Sequence, residues 1–174
     1  KAKALLKEAG IGKLKIDFNN RGVDQPYKVV GTWLIDQWRQ AGMDAKQRVQ
    51  PSPPFYATLR KKKDFDVSID FNCQSVINPI ADITKFLTSA GNNYSQGGDE
   101  KADALYAQLE KEADAGKQRA LIREYEKRVI SDNPVSLVTL WWYKINPHRS
   151  YVKGWKIAPS HYLNQHLDNI WLEK

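Results

Sequence analysis

Two hydrophobic periodicities alternate along this chain, and their alternation is the strongest constraint on its fold. Two short segments have apolar residues at every second position, which is typical of half-buried strands. Between them, in residues 27–42, apolar residues lie three or four positions apart, which predicts a helix. The strand residues are Leu14, Ile16 and Phe18 in the first segment and Val67, Ile69 and Phe71 in the second. This order predicts an α/β fold with a mixed, mostly parallel sheet flanked by helices.

The rest of the chain continues the same pattern. A weaker strand is expected at residues 44–49, between two helical segments. Residues 134–147 are apolar on both faces, which predicts a central strand that helices cover on each side. The other expected helices cover residues 1–10, a segment after Pro54, residues 79–87, and two longer segments with Gly116 as their joint.

Length and composition limit the class of protein. With 174 residues, 41% of them hydrophobic, the chain is long enough for one domain over residues 1–174 with its own core. The single cysteine, Cys73, cannot close an internal disulfide. No run of about 18 apolar residues occurs, and residues 1–10 lack the apolar middle of a signal peptide, so we expect neither a membrane span nor an export signal. The net charge of +7 alone does not identify a partner.

Polar residues follow the second of the two period-two segments abruptly. In open α/β sheets, ligands bind outside the carboxyl ends of the strands, so these residues are candidates for contacts with a small polar ligand. An ordinary turn that satisfies its own backbone is the alternative, and the sequence leaves both open. In an extended segment Trp141 and Tyr143 point to one side, where they form either a stacking platform or part of the core. The candidates of the loop are Asn72, Cys73, Gln74, Ser75 and Asn78.

No motif in the sequence supports catalysis or a metal site. The histidines His148, His161 and His166 have no cysteine or carboxylate at ligand spacing. There is no Gly-x-Ser-x-Gly motif, and the glycine-rich stretch at residues 90–98 lacks the lysine of a P-loop. Free cysteine behaves as a small apolar residue more often than as a nucleophile, and we interpret Cys73 in this way. We therefore expect no catalytic residue, no metal and no cofactor.

The order of several segments resembles a known family. These segments are "KALLKEAG", "LIDQWRQAGMDAKQRV", "PFYATLRKKKDFDVSIDFN", "GNNYSQGGDEKADALYAQLEKEAD" and "KQRALIREYEKRVISDNPVSLVTLWW". Together they are similar to the C-terminal lobe of the extracellular solute-binding proteins (family 5) of peptide and nickel ABC importers. The resemblance implies a two-lobed periplasmic or extracellular, membrane-anchored receptor, of which this chain is the second lobe. Such a receptor binds its solute between the lobes, delivers it to a membrane permease and performs no covalent chemistry.

The resemblance also suggests where the solute lies. The family's tryptophan and aspartate positions in the loop correspond to Asn72 and Ser75, which departs from the family pattern. A solute ammonium would lack its carboxylate partner there, so the resemblance favours a neutral polar or anionic organic solute over an ordinary peptide. It further implies that Cys73 and Gln74 neighbour the solute, and that Tyr94 and Trp141 form walls of its site.

Two alternatives to an importer subunit remain open from the sequence. A nucleic-acid-binding module would use the basic charge, although Lys and Arg residues are scattered among acidic ones rather than forming a stripe. A protein-interaction domain is the other alternative, because the aromatic-rich residues 150–174 would expose an apolar patch in isolation. Under the importer interpretation, the same residues pack back on the missing first lobe.

Overall fold

The structure is a computed structural model that describes residues 1–72, 78–141, 143, 145–156 and 167–173. The chain divides into two compact units, residues 1–72 and residues 73–174. The first unit contains a three-stranded parallel sheet, and the second contains a pair of longer helices together with a short two-stranded sheet.

The sheet of the first unit is formed by the segments with period-two hydrophobicity. Its strands are β1 (Lys15–Arg21), β2 (Asp44–Gln50) and β3 (Val67–Ile69), and β1 lies in the centre. Both neighbours pair with β1 in parallel. The first unit also contains α1 (Ala2–Glu8), a π-helical turn (Asp24–Lys28), α2 (Val29–Gln40), and α3 (Ser52–Ala57) with a π-helical turn (Thr58–Lys62). The prediction of a parallel sheet flanked by helices is confirmed.

One face of this sheet carries the apolar core of the unit. Phe18 is fully buried there, and it meets Trp38 of α2 edge to face, with the ring centroids 5.3 Å apart. Ile16, Ala45 and Ile35 complete the buried cluster. The apolar positions of β1 and the apolar side of α2 thus meet as their periodicities predict.

The opposite face of the sheet is polar. Asp17 and Arg48 form an ion pair across β1 and β2 at 3.1 Å, and Arg48 also reaches Asp64 at 3.4 Å. Thr58 donates to the side chain of Gln50 at 3.1 Å, which joins the segment after α3 to the end of β2. Segment 52–64 therefore lies over polar strand residues, whereas α2 lies over apolar ones.

The second unit is built around two helices. They are α5 (Glu100–Leu109) and α6 (Ala115–Lys127), preceded by α4 (Pro79–Asp82) and a 3₁₀ turn (Ile83–Phe86) and followed by a π-helical turn (Arg128–Asp132). Their apolar sides pack together through buried Leu105, Tyr125 and Val129. Gly116 is not the joint between the helices but lies inside α6, because the Asp114 side chain caps that helix on the nitrogen of Lys117.

Asp99 connects the two ends of this helical pair. Its carboxylate accepts from the backbone nitrogen of Ala102 at 2.8 Å and so caps α5. The same side chain accepts from Arg128 Nε at 2.7 Å and from Asn133 Nδ2 at 3.0 Å. The hydrogen bonds from Arg128 are the main cause of the lowered pKa of Asp99, which is about 2.

The central strand predicted at residues 134–147 is wrong for the residues that the structure describes. None of its described residues belongs to a strand, and its large apolar side chains are exposed rather than covered. Trp141 is 90% exposed and Tyr143 is 87% exposed. Apolar residues on both faces indicate that a segment is covered in its final environment, but they do not identify the covering partner.

The remaining described elements are short. Strands β4 (Val152–Lys153) and β5 (Trp171–Leu172) pair antiparallel. No helix within the described ranges combines the length and the apolar character that crossing a membrane requires.

Candidate functional site

The topology of the first unit defines a position where polar groups can meet a ligand. In the strand order β2-β1-β3, the chain passes from β1 to β2 on one side and then crosses to β3 on the other side of β1. The two crossovers pack on opposite faces, so the loops after β1 and β3 diverge and leave a crevice at the carboxyl ends of these strands. Arg21 is the last residue of β1, and Asp70 directly follows β3. Both flank this crevice.

Arg21 is held by aromatic rings at this edge. Its Cζ atom lies 5.3 Å from the ring centroids of both Tyr27 and Tyr56, and 5.9 Å from that of Phe71. Its Nε donates to the hydroxyl of Ser52 at 2.9 Å. We refer to Arg21, Ser52, Tyr27, Tyr56, Asp70 and Phe71 as the Arg21 cluster.

The terminal nitrogens of Arg21 remain available in this arrangement. Only its Nε forms a hydrogen bond to a residue of the described chain. Arg21 is half-buried, and its guanidinium is oriented by the three rings. A guanidinium with two free terminal nitrogens matches the two oxygens of a carboxylate or phosphate.

Tyr56 connects Arg21 to an acidic group. Its hydroxyl donates to Asp70 Oδ1 at 3.3 Å, while its ring faces Arg21. Burial, followed by the nearby Asp70 carboxylate, raises the pKa of Tyr56 to about 12, so the phenol stays protonated at neutral pH. Burial also raises the pKa of Asp70, although the backbone N–H of Phe71 and the Tyr56 hydroxyl oppose this effect.

The residues predicted from the loop lie differently. Asn72 ends the first unit and is exposed, whereas Cys73, Gln74 and Ser75 lie outside the described residues. Asn78 caps α4, because its Oδ1 accepts from the nitrogen of Ile80 at 3.0 Å, as an ordinary turn residue would. A role of these residues in ligand binding stays a prediction.

The predicted aromatic walls belong to the second unit. Tyr94 is half-buried, and Trp141 and Tyr143 are among the most exposed apolar side chains of the described chain. Neither residue belongs to a strand, so the expected alternation of their side chains between two faces of a sheet does not apply. Their contact with a solute also stays a prediction.

The sequence argument missed Arg21, Tyr56 and Asp70. The signal for Arg21 was present, because the polar run Asn19, Asn20 and Arg21 follows the apolar alternation of β1, as polar residues follow that of β3. Tyr56 could not be found in this way, since its position depends on how α3 crosses the sheet.

Elsewhere in the described ranges, no group of side chains forms a comparable site. A groove of about 530 Å³ lies beside α5 and α6. It is lined by side chains of both charges, including Lys111, Glu112, Lys117 and Glu124. Within the described residues no group of acidic, histidine and cysteine side chains could hold a metal ion. His148 stacks on Trp155, and His161 and His166 lie outside the described residues.

No protein-family model matches the sequence. No curated protein matches it significantly either. Solved structures, in contrast, match over almost the whole chain.

The structure of the ABC transporter-associated periplasmic binding protein DppA from Helicobacter pylori, in complex with the peptide STSA, matches 99% of this chain with a TM-score of 0.79 and 20% identity. OppA from Burkholderia pseudomallei matches 99% with a TM-score of 0.77 and 20% identity. Listeria monocytogenes OppA bound to peptide matches 99% with a TM-score of 0.71 and 16% identity.

The chain spans 34%, 34% and 32% of the length of these three proteins, respectively, which is about one third of each. The chain therefore has the fold of the matching third of peptide-transporter substrate-binding proteins, and the resemblance noted from its sequence is confirmed at the level of fold.

Proposed function

We propose that this chain is part of the solute-binding subunit of an ABC importer. In this proposal residues 1–174 form the second lobe of a two-lobed receptor, which captures a small polar organic solute or peptide between its lobes. The receptor delivers the solute to the membrane permease and catalyses no reaction. The fold shared with substrate-binding proteins, over about one third of their length, supports this proposal.

The Arg21 cluster is the observation that supports a specific position for the proposed solute-binding site. It lies at the divergence of β1 and β3, where open α/β sheets bind ligands. Three aromatic rings restrict the guanidinium, so little side-chain entropy is lost when it binds an anion. We therefore propose that the solute carries a carboxylate or a similar anionic group that Arg21 binds with its terminal nitrogens.

The exposed apolar side chains of the second unit support the proposed lobe arrangement. Residues 137–145 include six large, exposed apolar side chains in the described part, and the β4–β5 region adds exposed Trp171 and Leu172. Several large apolar side chains exposed close together in the sequence are typical of interfaces. We propose that residues 150–174, together with 137–145, pack on the first lobe of the same protein. The compartment would be the periplasm or the outer face of the cell membrane.

Native mass spectrometry of the protein purified from its own source tests the function. We expect a mass well above 20.0 kDa together with a releasable small molecule that has an anionic group. A natural product of 20.0 kDa without a ligand would contradict the two-lobed receptor.

Titration calorimetry with the solute released in that experiment tests the site. Arg21→Gln removes the charge and the paired nitrogens, so we expect its affinity to fall by about 30-fold or more. Arg123→Gln is the matched control, because Arg123 is exposed on α6. Equal affinities of the two variants, or a solute without an anionic group, would contradict the role of Arg21.

A further inference from the structure

We propose that four exposed lysines of the first unit form a surface that binds the anionic phospholipid headgroups of a membrane. These residues, which we call the lysine face, are Lys15, Lys46, Lys61 and Lys63. The interaction is separate from the proposed solute site and does not depend on it.

The positive charge of the chain is concentrated in its first unit. Residues 1–72 contain 14 Lys and Arg against 8 Asp and Glu, a net charge of +6, whereas the whole chain has a net charge of +7. The second unit is therefore almost neutral. A charge excess on one unit attracts an anionic partner to that unit in particular.

The register of the sheet brings two of the lysines to one face. Lys15 is the first residue of β1, and Lys46 lies in β2. Lys15 pairs with Asp44, and Lys46 pairs with Asp17, so the two lysines lie on adjacent strands two residues out of register. Residues two positions apart share one face of a strand, so both lysines lie on the polar face that carries the ion pair of Asp17 and Arg48. Both are exposed.

The other two lysines come from segment 58–64, which lies over the same polar face. Asp64 contacts Arg48 with its side chain at 3.4 Å and also with its backbone oxygen. Lys63, directly before it, has a left-handed backbone with φ of 53°, and its N–H donates to the oxygen of Thr58 at 2.7 Å. This cap ends the π-helical turn and leaves Lys61 and Lys63 exposed.

The carboxylates of this face bind other groups. Asp17 and Asp64 share Arg48, and the side chain of Asp66 accepts from the backbone nitrogen of Asp17 at 2.7 Å. Within the part of the chain that the structure describes, none of the four lysines forms an ion pair. Their charges are therefore available to an external anionic surface.

The side chains of the lysine face favour a membrane over a nucleic acid. Proteins that bind nucleic acids commonly add arginine forks and aromatic rings on which bases stack. In the described first unit, the cation–π contacts involve Arg21 and Arg60 and not these lysines. An ammonium group on a flexible stem is a point charge, which suits a laterally diffuse layer of headgroups where no fixed geometry is required.

Within the first unit, this surface starts at the edge of the sheet opposite to the crevice. Lys15 begins β1, whereas Arg21 ends it at the crevice. Six residue steps along a strand span about 20 Å. A membrane at the lysine face and a solute at Arg21 therefore do not compete for the same groups.

Sedimentation with vesicles tests the proposal on the full-length chain. The vesicles contain phosphatidylcholine alone or with about one third phosphatidylglycerol, and binding is measured at about 0.1 M and about 1 M salt, where the screening length is about 10 Å and 3 Å. The variant combines Lys15→Gln, Lys46→Gln, Lys61→Gln and Lys63→Asn, since asparagine tolerates the left-handed backbone at position 63. The control removes the same charge from exposed positions of the second unit by Lys101→Gln, Lys111→Gln, Lys117→Gln and Lys156→Gln.

We expect the wild type to bind the vesicles with phosphatidylglycerol and not those of phosphatidylcholine alone. One lysine near an anionic surface changes the partition coefficient roughly fivefold, so the variant should lose about 20-fold or more and the control less than about threefold. Binding of the wild type should fall by about tenfold or more at the higher salt concentration. Circular dichroism checks folding, and if the fourfold variant does not fold, the pairs Lys15→Gln with Lys46→Gln and Lys61→Gln with Lys63→Asn should each lose about fivefold or more.

Three results would overturn the proposal. The wild type could bind both kinds of vesicle equally or not at all, or the variant and the control could lose equal affinity, which would make net charge the only cause. Tighter binding to a short DNA duplex than to the anionic vesicles at the same salt concentration would identify nucleic acid as the partner instead. None of these results affects the proposed function, which fails if the protein from its own source carries no solute.

Discussion

Gly31→Ala is the substitution whose effect follows most directly from the packing of the sheet. Gly31 is buried in α2, where the helix lies closest to β1. A Cβ atom added there would overlap with Oδ1 of Asn20, and it would lie 2.8 Å from the Cγ of that residue and 2.9 Å from Cε1 of Phe18. Both neighbours are fully buried and cannot turn towards solvent.

The magnitude follows from three contributions. Overpacking a dense core costs about 1–3 kcal/mol. Displacing Asn20 breaks its hydrogen bond from Gln47 Nε2, which is 3.0 Å long, and an unsatisfied buried amide costs about 1–3 kcal/mol more. The better helix propensity of alanine returns up to about 1 kcal/mol. We expect Gly31→Ala to lower the free energy of unfolding by about 2–4 kcal/mol.

Urea denaturation followed by circular dichroism measures this change, and a double-mutant cycle identifies its cause. In an Asn20→Ala background only the approach to Phe18 remains, so Gly31→Ala should lower the free energy of unfolding by clearly less than in the wild-type background. An equal loss in both backgrounds would refute the proposed overlap with Asn20. A stabilising effect in the wild-type background would show that α2 moves away from the sheet without difficulty.

Three further predictions concern stability and ionisation. Asp99→Asn should lower the free energy of unfolding at pH 7, as measured by urea denaturation. The difference from wild type should disappear between about pH 4 and pH 2, because the carboxylate that Arg128 stabilises loses its charge as the pH falls through its lowered pKa of about 2. Phe55→Ala should lower the free energy of unfolding by about 3–5 kcal/mol, since Phe55 is fully buried, whereas exposed Val29→Ala should cost less than about 1 kcal/mol in the same assay. Burial raises the pKa of Tyr125 to about 12, so this residue should ionise near pH 12 in an ultraviolet titration of the tyrosines. The Tyr125→Phe variant should therefore lose part of the absorbance change near pH 12. A loss near pH 10 instead would contradict the raised pKa.

The sequence predicted the first unit well because its local periodicities and its tertiary contacts agree. The alternation in β1 places Ile16 and Phe18 on the face that α2 covers, as a local pattern requires. It failed in residues 134–147, where the pattern indicated burial on both sides and the large apolar side chains of the described residues are exposed. A periodicity reports the environment that a segment needs, but the partner that supplies this environment can lie elsewhere in the protein.

The sequence argument and the candidate site point to the same edge of the sheet, but the residues predicted from the loop are not those that the structure brings together in the Arg21 cluster. Polar residues after β3 identified the carboxyl edge, and Arg21 at the end of β1 follows from the same rule. The contacts of Tyr56 with both Arg21 and Asp70 depend on the crossover of α3, which has no signature in the sequence. Local patterns therefore locate an edge, whereas the pairing of side chains across that edge requires the topology.

The central strand itself contains a further indication of function. Asn19 and Asn20 are fully buried in β1, although asparagine is unfavourable in strands and in cores. Asn20 donates to the backbone oxygen of Arg21 at 2.8 Å, and Asn19 donates to Ser68 of β3 at 3.4 Å. Asn20 also accepts from Gln47 of β2 at 3.0 Å, so the two amides connect the end of β1 to both neighbouring strands, where Arg21 and Asp70 flank the crevice. Residues that are unfavourable in their local structure are expected where a binding site must be held in place. The side-chain amide of Asn20 has two such roles, because it requires glycine at position 31 and it donates to the backbone oxygen of Arg21.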